Sequence, residues 1–106
     1  MNSVKKIQLK TQKEKAVKLI ANGNHEKAIV ILKSLLQKDH FDIELLTGLA
    51  HCYSAIGQPR EALFYLDVAL SIEPNYPHAQ FLKGCVLGDL GKYKEGIVLI
   101  KNVINL

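Results

Sequence analysis

Apolar residues along this chain return at steps of three and four, and the pattern breaks at regular places. Over residues 43–56, Leu45/Leu46, Leu49/Ala50 and Tyr53 fall on one side of a 3.6-residue turn, the spacing of an amphipathic helix. After Gly57 a second set follows: Ala62, Leu63, Leu66 and Ala69/Leu70. Gly57 suits the left-handed residue that closes a helix. Pro59 suits a first turn, where a missing N–H costs nothing. Pro74 and Pro77 stop the second helix and restart the chain. Read this way throughout, the spacing predicts an all-α chain of six helices over residues 5–21, 25–38, 43–56, 59–72, 77–90 and 93–105. Short joints make consecutive helices antiparallel.

The breaks keep a fixed period. Ala50, Tyr53, Gly57, Ala62, Leu66 and Ala69 have counterparts 34 residues earlier in Ala16, Leu19, Gly23, Ala28, Leu32 and Leu35. The counterparts 34 residues later are Gly84, Leu87, Gly91, Gly96, Ile100 and Val103. A period of this length without insertions marks a repeat array, each unit being helix–turn–helix. Two positions stay small in every copy: Ala16, Ala50 and Gly84 on the first helix, Ala28, Ala62 and Gly96 on the second. Small side chains there let the paired backbones approach closely. Gly84 and Gly96 each give up about 0.5–1 kcal/mol of helix propensity relative to alanine, so close approach is the expected compensation.

These residues resemble the tetratricopeptide repeat, whose signature runs W-x2-L-G-x2-Y, then A-x3-F, then a late proline. The central unit, 43–76, matches almost throughout, with Leu46 in place of the tryptophan and Leu66 in place of the phenylalanine. The flanking units are 9–42 and a shorter 77–106, with residues 1–8 as a basic extension of one domain. Departures sit in the outer units: Gln12, Lys15 and His40 in the first, Gln80 and Lys83 in the third.

The resemblance implies a right-handed superhelix, first helices on the concave face and second helices on the convex side. It also implies function by binding another protein, as a short peptide or a helix laid in the groove. Laid on that geometry, the groove is lined by Lys10, Lys13, Val17, Ile20 and Ala21 from the first unit. The second adds Glu44, Thr47, Gly48, His51, Ser54 and Ala55, and the third His78, Phe81, Leu82, Cys85, Gly88 and Asp89. A small, smooth middle beside a bulky apolar anchor suits an apolar or amphipathic segment; alternatively Phe81 and Leu82 pack against neighbouring helices. Family members that hold a C-terminal carboxylate use lysine, asparagine and arginine at positions that here carry Lys13, Val17, Gly48, His78 and Leu82. Only the lysine is kept, so the resemblance implies no carboxylate clamp.

Composition narrows the rest. With 106 residues, 48% apolar and 23% charged, the chain has the means for a packed core. Its longest apolar runs are too short to span a membrane, and no secretory signal follows the basic start. Cys52 and Cys85 fit a reduced, cytoplasmic protein better than a stapled one. Residues 1–18 hold six lysines against Glu14, a basic end on a nearly neutral body. That end is read as a solvated leading helix, or as a site for an anionic partner. Nucleic acid is the lesser reading, since no aromatics interleave the lysines to stack on bases.

Catalysis is not expected. His51 and Cys85 share one repeat position on adjacent first helices, but a Cys–His nucleophile also needs an orienting group and an oxyanion donor. No metal is expected from His51, His78, Cys85 and Asp89, which lack short ligand spacing, and no cofactor is expected. Cys52 reads as a small buried hydrophobe.

The last helix is apolar nearly all round. Ile97, Ile100, Ile104 and Leu106 form a row with no polar capping helix after it, which repeat arrays ordinarily have. The expectation is a covered edge: by a second copy, by a partner, or by further sequence. The function expected is a non-enzymatic interaction module, an adaptor, scaffold or chaperone-like protein. The alternatives are a regulatory fragment of a larger protein and a small basic nucleic-acid binder.

Overall fold

The computed structural model describes residues 2–104, so Leu106 of the expected edge lies outside the described residues. Six helices follow one another: α1 (Asn2–Ala21), α2 (His25–Leu36), α3 (Ile43–Ala55), α4 (Pro59–Ile72), α5 (Pro77–Asp89) and α6 (Tyr93–Ile104). No strand occurs among the described residues. α1 starts three residues before its expected position, and α2 stops at Leu36 instead of reaching residue 38.

Each pair closes in the same way. At the end of α3, Gln58 N–H donates to the Tyr53 carbonyl at 2.8 Å and Gly57 N–H to the Ser54 carbonyl at 3.1 Å. This crossed pair satisfies carbonyls that the helix leaves free, and it requires a left-handed residue between. Gly57 supplies it with φ +80°, as Gly23 and Gly91 do at the ends of α1 and α5. The same two bonds recur there, from Asn24 to Leu19 and from Lys92 to Leu87. Pro59 and Pro77 open α4 and α5 from the first turn.

The helices stack in chain order, each packing on the next, and α3 also touches α5. Ala28, Leu49, Cys52, Ala62, Leu66 and Ala69 are wholly buried. Burying a leucine side chain stabilises by about 1.5–3 kcal/mol, so the core centres on the α3–α4 pair. Its outer flank is an aromatic stack: the Tyr53 and Tyr65 rings lie 5.7 Å apart and 7° from parallel, with the Lys33 ammonium 5.7 Å from the Tyr53 ring. Leu82, half-buried, packs against this core.

Candidate functional site

The face of the first helices carries a cavity of about 360 Å³ lined by Ile20 of α1, Glu44, Thr47, Gly48 and His51 of α3, and Tyr76 and His78 at the start of α5. Six residues named from the sequence, Ile20, Glu44, Thr47, Gly48, His51 and His78, thus meet around one space. Gly48 packs against the core from its other side, where a Cβ would stand 3.4 Å from the Leu32 side chain. Thr47 is 3% exposed, and its hydroxyl donates back to the Ile43 and Glu44 carbonyls of its own helix. It offers a methyl-sized wall and no free donor.

Tyr76 was not named from the sequence. It stands at the N-cap of α5, outside the helical positions that periodicity selects, and its ring lies 6.5 Å from that of His78. His25 was missed as well: from the start of α2 its ring reaches within 5.7 Å of His51. Partial burial, then the neighbouring His25 and His78, holds the His51 pKa below 6.5. Removing a cation from water and placing it beside like charges both favour the neutral ring. His51 thus contributes to the cavity wall an imidazole that loses its proton more readily than a free one.

Lys10 and Lys13 line a second cavity, about 500 Å³, with Lys6, Leu9, Leu35, Lys38, Asp39, Asp42 and Leu45. Here Lys13 Nζ lies 2.6 Å from Asp42 Oδ2. Asp42 Oδ1 meanwhile accepts from Glu44 N–H at 3.0 Å and Leu45 N–H at 3.2 Å. Hydrogen bonding to this carboxylate raises the Lys13 pKa above its ordinary value. Lys13 is committed to the first turn of α3.

The other named residues lie outside both cavities. Val17 is exposed on α1, Ser54 half-buried on α3, and Phe81, Cys85 and Asp89 exposed on α5. Cys85 does not line the cavity that holds His51. No group of three or more His, Cys, Asp or Glu side chains suited to a metal ion occurs among the described residues. No described helix is long and apolar enough to cross a membrane.

The sequence model of the tetratricopeptide repeat family matches residues 19–84. The chain belongs to this family. Superkiller protein 3 of Saccharomyces cerevisiae is 31% identical over 71 residues, which cover 67% of this chain and 5% of that protein. The chain thus spans a small part of that relative's length. Among solved structures, the type III secretion translocator chaperone SycD of Yersinia enterocolitica superposes with a TM-score of 0.86 at 24% identity, over 97% of this chain and 79% of SycD. The second tetratricopeptide domain of Spaghetti, bound to an HSP90 peptide, superposes with a TM-score of 0.85 at 23% identity, over 93% and 92% of the two chains. The all-α tetratricopeptide superhelix is thereby the fold of this chain.

Proposed function

We propose that this tetratricopeptide chain is a protein-interaction module that holds an apolar or amphipathic segment of another protein against its first helices. The observation that carries this reading is the cavity shared by α1, α3 and α5, with Ile20, Gly48, His51, Tyr76 and His78 around it. Its exposed wall area is mostly apolar, and Glu44, His51, Tyr76 and His78 add polar groups around it, a mixture that suits an amphipathic ligand. Exposed Phe81, one turn beyond His78 on α5, extends that surface as an apolar anchor. Support comes from two proteins of the same fold, one solved with an HSP90 peptide and one named a translocator chaperone.

The segment is not an acidic chain end of the kind a carboxylate clamp holds. Val17, Gly48 and Leu82 offer no donor for a carboxylate, and Lys13 is held by Asp42. An acidic C-terminal peptide titrated into the chain is expected to show no micromolar binding. Micromolar binding lost on Lys13→Ala would overturn that part.

The groove itself is tested by affinity capture from the source organism, comparing the parent with His78→Glu and Phe81→Glu. Both side chains are exposed, so the variants keep the fold. A protein retained by the parent and lost by both variants places the ligand on this face. Equal retention by all three rejects it.

A further inference from the structure

Between α1 and α2 lies a cavity of about 820 Å³, with Leu9, Ile31 and Leu35 as its floor and Lys5 and Lys38 among its walls. It shares Leu9, Leu35 and Lys38 with the cavity of about 500 Å³ that Lys6, Lys10 and Lys13 line. The two adjoin as one trough on the first helix pair.

Repeat register shows what is particular to this trough. Gln12, Ser34 and Lys38 stand on its walls, and all three are exposed. Their counterparts in the second unit are Leu46, 1% exposed, and Val68 and Ile72, both half-buried. A face that is apolar and covered in the middle of the array is open here and polar at its rim. Its floor remains aliphatic: Leu35 is buried, and Leu9 and Ile31 are half-buried.

The rim carries charge of one sign. Five lysines line the two cavities against Asp39 and Asp42, a net +3. Asp42 is held by Lys13, and Asp39 Oδ1 accepts the Phe41 N–H at 3.3 Å. Among the described residues, no carboxylate pairs with Lys5, Lys6, Lys10 or Lys38. Like charges gathered around a concave wall repel one another and draw an anion toward it.

The floor decides which anion fits. A nucleic acid could place phosphates on the lysines, but no aromatic ring lines the trough for its bases to stack on. A bilayer takes apolar groups that reach into it, whereas Leu9, Ile31 and Leu35 lie beneath the lysines. A peptide segment can supply both parts, carboxylates for the rim and aliphatic side chains for the floor.

We propose that this trough docks an acidic amphipathic segment of a partner protein. Its aliphatic side chains lie over Leu9, Ile31 and Leu35, and its carboxylates meet Lys5, Lys6, Lys10 and Lys38. Charge alone does not suffice, so a short acidic chain end without aliphatic anchors is not such a ligand. The trough shares no residue with the cavity of α1, α3 and α5, so either proposal can fail alone.

A helical peptide of leucine and glutamate tests it, with leucine at i, i+3, i+4 and i+7 and glutamate on both flanks. It is titrated into the full chain and followed by amide chemical shifts, which are expected to centre on residues 5–12 and 30–38. Replacing its glutamates by glutamine should weaken binding about tenfold, the worth of two or three partly exposed ion pairs. Replacing its leucines by serine should weaken it by at least about tenfold. Lys10→Glu with Lys38→Glu, both on exposed side chains, should cost about tenfold in affinity and leave the circular dichroism unchanged. Lys94→Glu with Lys101→Glu on α6, the same change in net charge, should leave affinity unchanged. Failure of the leucine–glutamate peptide to bind, equal affinity for the glutamine peptide, or equal loss from the α6 variant would overturn the proposal. Tighter binding of a DNA duplex or of phosphatidylserine vesicles through the same lysines would overturn it too.

Discussion

Gly84 and Gly96 bring the backbones of α5 and α6 into contact. A Cβ built on Gly96 would stand 2.5 Å from the Gly84 carbonyl oxygen. One built on Gly84 would stand 2.9 Å from the Gly96 carbonyl oxygen and 2.6 Å from Ile100 Cγ1. In the central pair the same two positions are Ala50 and Ala62, both buried. The third pair is therefore drawn more tightly together than its relatives, and glycine is what permits it.

Gly96→Ala sets two effects against each other. The helix gains about 1 kcal/mol of propensity, while a methyl against a backbone oxygen forces the helices apart at about 1–3 kcal/mol. Crowding wins, because the obstructing atom is backbone and cannot rotate away. A net loss of about 1 kcal/mol is expected in urea unfolding. Stabilisation instead would show that α5 and α6 separate freely.

Asp42 has two tasks, capping α3 through Oδ1 and binding Lys13 through Oδ2. Losing the cap costs about 1 kcal/mol, and a partly exposed ion pair about 0.5 kcal/mol. Asp42→Ala should therefore lose about 1.5 kcal/mol in urea unfolding, and Lys13→Met about a third of that. Equal losses would make the ion pair the principal interaction.

The two thiols should differ in reactivity. Cys52 is wholly buried, and desolvation pushes its pKa up to about 11, so the reactive thiolate is scarce near neutral pH. Cys85 is exposed. An aromatic disulfide reagent is expected to modify one thiol per native chain, and none after Cys85→Ser, with Cys52 reacting only on unfolding. Rapid reaction of two native thiols would contradict the burial of Cys52.

His51 links stability to pH. Its folded pKa lies below 6.5, so between the two values the unfolded chain binds more protons. Stability from this group is complete above pH 6.5 and is lost as pH falls through the folded pKa. His25 of α2 and His78 of α5 approach it as like charges when protonated, and Glu44 of α3 shares the cavity wall. His51→Gln should lessen the acid-side decline in urea midpoint between pH 7.5 and pH 5. A His51 proton resonance titrating above 6.5 would refute this account.

The array itself was legible in the chain, because a helix announces itself by local spacing and a repeat by its period. Gly57 and Pro59 act within a few residues of their own position, and Leu46, Tyr53 and Ala62 are marked by the three- and four-residue spacing around them. The left-handed glycines and the apolar faces therefore stand where periodicity puts them. The small pairs at 84 and 96 were also readable, since a glycine in a helix carries a local cost that only close packing offsets.

The candidate site was legible only in part. Helical position placed Ile20, His51 and His78 on one face, but periodicity could not bring in Tyr76, which caps a helix, or His25, which reaches across from the start of α2. It could not show that Thr47 spends its hydroxyl on its own helix, or that Lys13 is bound to Asp42 from 29 residues away. Nor could it show that Ile29 is 8% exposed whereas its counterpart Leu63 is half-buried, which depends on what lies over each. Local spacing determined the helices and their order. Which side chains are free to meet another molecule was decided by tertiary packing, because exposure depends on residues brought near by the fold and not by the chain.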